Sequence, residues 1–230
     1  MEIDIILVPQ GQEHSAVCRG LSKTTCKPIL VFPIPIGNKP LIACLQKWQQ
    51  TKKIPDRQLN ILVMGLCGSL SPQHNLADIV VYKECLYLSE RSEKLLKHCD
   101  SQLTNSVKKK LKEKASLVRS LTSDRVICSA EEKRHLGETC QAEVVDMEGF
   151  AILEACQKTE IRVTMVRVIS DDCNRDLPDM EGAINSQGNI EALPTAIAML
   201  KKPIAAVRLI RGSLKALQIL EQVTKKLFSP

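Results

Sequence analysis

The chain has 230 residues, 44% of them hydrophobic and 25% charged, which fits one folded, soluble α/β domain with a sizeable core and excludes a disordered or bilayer-spanning chain. Only 3% are aromatic, so the core is aliphatic and no stacking platform for single-stranded nucleic acid is expected. The net charge of +6 arises partly in Ser106–Lys114, S-V-K-K-K-L-K-E-K, read as the solvent face of an amphipathic helix whose buried side carries Leu103, Val107 and Leu111.

From the start, Met1–Val8 reads as a buried first strand, stopped by Pro9-Gln10-Gly11 and followed by a helix over Glu13–Leu21. Ile29–Phe32 is a second strand. The run Pro28–Ile36 is broken by three prolines and too short to span a bilayer, so a soluble, cytoplasmic protein without membrane insertion is expected. Leu41, Cys44, Leu45 and Trp48 place a helix over Asn38–Gln49. Asn60–Met64 is a buried strand running into a turn, Gly65-Leu66-Cys67-Gly68-Ser69-Leu70, whose glycines allow close backbone approach to a ligand. Asp78–Tyr82 and Glu84–Leu88 read as two short strands, and Ser116–Leu121 and Arg125–Cys128 as strand-like segments beyond the lysine-rich helix.

The centre of the chain is V-V-D-M-E-G-F-A, Val144–Ala151, where a strand ends and a helix through Ala151, Ile152, Ala155 and Cys156 begins. Asp146, Met147 and Glu148 sit at that junction. A second junction follows, where the strand Arg162–Ile169 ends in Ser170-Asp171-Asp172. Taken singly, each has an ordinary structural explanation: a helix N-cap, a first-turn carboxylate, a turn. Together, two acidic strand ends make a candidate active-site floor, because ligands of open α/β sheets collect there. Cys173–Ile190, rich in Asp, Asn, Gly and Pro, is a long loop and a candidate lid. Helices over Ile190–Lys201 and Ala205–Leu227, the latter with a wide apolar face, close the chain. Strands interleaved with helices imply a three-layer α/β fold spanning 1–230. The ten cysteines form no C-x-x-C pair and read as small buried hydrophobes in a reducing compartment, and the four histidines complete no metal pattern.

Four landmarks in this order resemble the purine nucleoside phosphorylase / methylthioadenosine nucleosidase superfamily: Glu13 after the first strand; Gly65–Leu70 followed by Ala77-Asp78-Ile79-Val80-Val81; Val145-Asp146-Met147-Glu148; and Arg167-Val168-Ile169-Ser170-Asp171. The resemblance implies an α-β-α domain with a central mixed, partly barrel-like sheet, and cleavage of the N-ribosidic bond of a purine, adenine-type, nucleoside. By resemblance, Asp171 protonates purine N7 and Ser170 orients it. Glu148 accepts from the ribose hydroxyls, and Met147 floors the sugar. Glu13, helped by Arg167, activates water. Val126 and Ile127 hold the base, and Gly65 and Gly68 belong to the glycine turn. No cofactor and no metal are implied, phosphate being a co-substrate if the enzyme is a phosphorylase. The partners implied are a small nucleoside and further copies of the chain, a dimer or hexamer, with no nucleic acid.

Two departures matter. Leu66 stands where phosphate-binding relatives carry a hydroxyl and no arginine precedes it, which favours water as nucleophile, with Arg19 or a neighbouring subunit as the only compensation. Val126 replaces an aromatic residue over the base. Three alternatives to a plain nucleosidase therefore stay open: a phosphorylase, a nucleosidase for adenosylated lipids of the hopanoid type, and a non-catalytic nucleobase sensor.

Overall fold

The computed structural model describes residues 2–25, 28–51, 58–89, 93–157, 160–180 and 182–229. Met1, in the first expected strand, and Cys26 lie outside them. The chain opens with β1 (Ile5–Pro9), α1 (Gln12–Ser22), β2 (Leu30–Ile34), α2 (Asn38–Thr51) and β3 (Leu59–Ser69). β1 pairs in parallel with both β2 and β3. β2 is the sheet edge, which is why Pro33 is tolerated inside it. β4 (Ile79–Leu88) and β5 (Lys94–His98) form an antiparallel pair, and α3 (Ser101–Leu111) leads into β6 (Ala115–Thr122). Then come α4 (Ala130–Cys140), β7 (Val144–Asp146), α5 (Gly149–Cys156), β8 (Ile161–Asp171), α6 (Ala192–Lys201) and α7 (Pro203–Phe228).

Five strands close a ring: β3 pairs with β7, β7 with β6, β6 with β4, β4 with β8, and β8 with β3. Some pairs are parallel and some antiparallel, so the sheet is mixed and partly closed into a barrel, as expected. Alternation along the strands splits the core into two apolar layers. Leu7, Ile61, Val63, Val163 and Met165 pack towards α2 and α5, while Ile6, Leu62, Met64, Val166 and Val168 pack towards α1, α3 and α7. This is the three-layer arrangement. Leu103, Val107 and Leu111 are the buried stripe of α3, with Lys108, Lys109 and Lys110 in its last turn. Among the described residues six cysteines, Cys67, Cys85, Cys99, Cys140, Cys156 and Cys173, are buried and serve as apolar filler.

Several expectations need correction. Gly65–Ser69 is not a turn: β3 runs through it, because β8 pairs with it up to Gly68 and β7 closes on Gly68 and Ser69. The two short strands around Lys83 are one strand, β4, with an irregularity between Tyr82 and Glu84. Arg125–Cys128 is not a strand. It finds no strand partner and is held as a loop by Leu177 N–H donating to Cys128 O. Ser170 and Asp171 end β8 rather than forming a turn. β5 and α4 appear in the structure without having been expected.

Candidate active site

The residues singled out in the sequence come from four separate elements and meet at one end of the ring. Glu13 enters from the first turn of α1, Gly68 from β3, Met147 and Glu148 from the β7–α5 junction, and Ser170 and Asp171 from the end of β8. All line one cleft of about 170 Å³, together with Val126, Ile127, Leu66 and Lys133. Arg167 and Gly65 do not line it. Arg167 lies behind the wall with no exposed surface, its Nη2 3.2 Å from Glu148 Oε2 and 3.5 Å from Asp146 Oδ2. It therefore acts on the cleft from behind, through these carboxylates, through its Nη1 donating to Leu66 O at 3.4 Å and through its charge on Glu13.

The glycines are required sterically. A Cβ on Gly65 would overlap the Arg167 guanidinium and stand 2.8 Å from Glu13 Oε1. One on Gly68 would stand 2.9 Å from Asp171 Oδ2 and 3.2 Å from Val145 Cγ1. The close approach read from the sequence is thus made by the protein's own ionisable side chains. Gly37 has a different reason. At φ +90° it adopts a left-handed conformation, which aims its N–H at Glu148 Oε1, 3.2 Å away.

The electrostatics separate the carboxylates. Glu13 accepts from Leu66 N–H. Although part of the residue reaches solvent, its carboxylate is enclosed, and desolvation raises its pKa from 4.5 to about 7 against the pull of Arg167. Glu148 is buried and also shifted upward, by desolvation first, with Arg167 opposing and Asp146 adding to the rise. Burial alone would lower the Arg167 pKa, but Asp146, Glu148, Tyr82 and Glu13 raise it well above the ordinary value, so it remains a fixed cation. Asp146 combines this ion pair with local structural bonds, accepting from Thr122 Oγ1 at 2.9 Å and from Gly149 N at the start of α5 at 3.2 Å. The plain reading of Asp146 as the N-cap of this helix is corrected: the N-cap is Glu148, without a side-chain capping bond, and Asp146, two residues earlier, only accepts from the first helical N–H.

At Asp171 the Ser170 hydroxyl lies 2.8 Å from Oδ1, and the Lys133 ammonium bonds Oδ2. Lys133 is only 1% exposed. Sequence reading missed it because α4 itself was missed. A signal was present in Ser129-Ala130-Glu131-Glu132, an S-x-x-E pattern of helix starts, and Ser129 Oγ does accept from Glu132 N at 3.3 Å. Arg19, offered as a phosphate ligand, instead pairs with Glu221 at 2.9 Å on the α1–α7 surface and does not line the cleft. The lining cations Arg125 and Lys133 are bonded to Glu132 and Asp171.

Beyond Met147 the cleft widens into an outer cleft of about 640 Å³, sharing Ile36, Arg125 and Val126 and bordered by Met180, Ile184, Asn185 and Ser186. The described residues of the expected loop Cys173–Ile190 thus form one wall. The loop is tied back by Gln10 Nε2 donating to Gly188 O at 3.2 Å and to Asn189 Oδ1 at 2.7 Å. Among the described residues no group of three or more His, Cys, Asp or Glu is placed to hold a metal ion.

Solved structures share this architecture. Futalosine hydrolase of Helicobacter pylori strain 26695 superposes with a TM-score of 0.70 at 16% identity, covering 97% of this chain and 95% of its own. The 5′-methylthioadenosine/S-adenosylhomocysteine nucleosidase of Helicobacter pylori gives 0.67 at 16% identity, over 97% of this chain and 96% of its own. A mutant of that nucleosidase with 5′-methylthioadenosine in its active site gives 0.64 at 16%, over 97% and 98%. These likenesses establish the fold. No curated protein matches in sequence. The family model described as the phosphorylase superfamily matches residues 58–205, more than half the chain and the stretch that carries Gly65, Gly68, Glu148, Arg167 and Asp171, and the chain belongs to that superfamily.

Proposed function

We propose that this chain, acting as one domain, hydrolyses the N-ribosidic bond of a purine nucleoside of the adenosine type. The observation that carries the reading is the convergence of Glu13, Glu148 and Asp171 on one cleft, which Met147 and Ile127 line with apolar surface. In the reaction the bond from C1′ to the base nitrogen breaks and its electron pair leaves with the base. Asp171 gives a proton to purine N7, and the Lys133 ammonium offsets the carboxylate charge left behind. Positive charge growing on the ribose is stabilised by Glu148, whose carboxylate also accepts from the sugar hydroxyls. Water adds its oxygen to C1′ and gives its proton to Glu13, whose pKa of about 7 suits a general base at neutral pH. Solvent carries that proton back to Asp171.

Water is favoured over phosphate because the Leu66 N–H is bonded to Glu13 and the lining cations are already paired. The outer cleft supports a substituent on the ribose 5′ carbon, and its size favours a second reading in which that substituent is bulky, as in an adenosylated lipid. A nucleobase sensor would need neither an acid nor a base. The same proposal places the protein in the cytoplasm as a homo-oligomer without a cofactor. The test is a panel of methylthioadenosine, S-adenosylhomocysteine, adenosine, inosine and uridine with the wild-type chain and Asp171→Asn. Adenine release lost in the variant supports the assignment. Base release that is equally fast in Asp171→Asn removes Asp171 as the acid.

A further inference from the structure

The C-terminal helices carry a surface that the proposed chemistry does not use. In α6 the residues Leu193, Ala196, Ile197 and Leu200 recur at i, i+3, i+4 and i+7, so they form one stripe, and that stripe faces solvent. Leu193 is 71% and Leu200 80% exposed, while the buried residue of this helix is the small Ala198. The stripe continues through Ile204, 77% exposed, onto α7. At about 100° per residue, Ile210, Leu214, Val207 and Ile204 share an exposed arc of about 120°, with Arg211 inside its Ile204 end and Lys215 and Arg208 just beyond that end. An amphipathic helix normally turns its apolar stripe inward. Here it is outward, and an exposed apolar patch of this extent marks a binding surface.

The charge pattern identifies the occupant. From Ala192 to Leu220 there are five cations, Lys201, Lys202, Arg208, Arg211 and Lys215, and no acidic residue. An isologous contact between two copies lays the patch against itself and brings these cations together, which disfavours a second chain. We infer that the α6–α7 face is a membrane-surface site that seats its apolar side chains among the acyl chains of a bilayer and its cations against anionic phospholipid headgroups.

Two further features fit. At the cationic edge of α7, Arg175 joins Arg208, Arg211 and Lys215 in a cleft of about 250 Å³ that also reaches Ser170 and Asp171 of the candidate active site, so four cations stand where α7 meets that site. Asp172 and Asp176 at the same cleft face backbone amides, accepting from Asn174 N and Ala130 N at 2.8 Å each. At the other end, Ile190 precedes α6 and bridges to Ile184, which lines the outer cleft, so the apolar face begins beside the mouth of the candidate active site. Among the described residues no helix is long and apolar enough to cross a membrane, so contact is confined to the surface.

The test is vesicle co-sedimentation of the full chain, with phosphatidylcholine alone or mixed with phosphatidylglycerol, at low and high salt. The readout is binding, so it stands or falls independently of nucleoside cleavage. The expected result is binding to the mixed vesicles only, weakened by salt, and weakened at least about tenfold by Lys201→Glu/Lys202→Glu and by Leu200→Asp/Ile204→Asp. Melting curves check that these exposed substitutions leave the fold intact. Failure to bind anionic vesicles overturns the proposal. So does sedimentation showing a dimer that Leu200→Asp/Ile204→Asp converts to monomer, since the face is then a contact between copies.

Discussion

At Asp171 two donors share one carboxylate, the Ser170 hydroxyl on Oδ1 and the buried Lys133 ammonium on Oδ2. Under the proposed hydrolysis the cation would stabilise the charge that appears once the proton has gone to the base, and so would act on the transition state as well as on the resting site. Lys133→Met should lower kcat about 10- to 100-fold with a smaller change in KM, and Lys133→Arg should recover part of the loss, both read in steady-state kinetics. A merely structural lysine would change the melting temperature and leave kcat in place. In the same proposal Glu13 would supply the pH dependence. It must be ionised to take a proton from water, so the rate should rise as pH passes through about 7, and Glu13→Gln should abolish both that rise and most of the activity. The effect on stability runs the other way. The folded pKa lies above the unfolded value, so Glu13 contributes stability that is fully present below pH 4.5 and is lost as pH climbs to about 7. Glu13→Gln should therefore gain stability relative to wild type at pH 8 compared with pH 5, as denaturant titrations would show.

The elements explain why these side chains meet. β3 can pass beside β8 with Asp171 at its flank only because residue 68 lacks a Cβ. Gly68→Ala should displace the Asp171 carboxylate and cost about 10²-fold in kcat while the chain stays folded. Gly20 does comparable work between helices. A Cβ there would stand 2.6 Å from Glu221 O and 2.6 Å from Thr224 Cβ, so Gly20→Ala should force α1 from α7 and destabilise by about 1–3 kcal/mol, measurable by thermal unfolding. Much of this was legible in the sequence. Long apolar strands such as β8 and strongly periodic helices such as α3 announce themselves, because tertiary packing and local pattern agree. β5 did not, since K-L-L-K-H has mostly exposed side chains and is a strand only by pairing with β4. Gly65–Ser69 looked like a turn because glycine pairs are usual in turns, whereas here the absent side chains make room for Arg167, Glu13 and Asp171. α4 lacks a broad apolar face, and only its capping pattern marks it, which is why Lys133 escaped notice.

For the whole molecule, the closed five-strand ring fixes the ends of β3, β7 and β8 relative to one another, and α1 and α4 add one ionisable group each from outside it. Membership in the phosphorylase superfamily fits both hydrolysis and phosphorolysis, and what separates them is whether the cleft offers free donors to a dianion. Its lining cations are engaged by Glu132 and Asp171, and Arg19 is held by Glu221 on another surface. The most direct test is methylthioadenosine turnover in buffer freed of phosphate and then supplied with it, with the sugar product identified by mass spectrometry. The account predicts the same rate in both, with free methylthioribose as the product. A rate that vanishes without phosphate, with the sugar 1-phosphate formed on its addition, would contradict it.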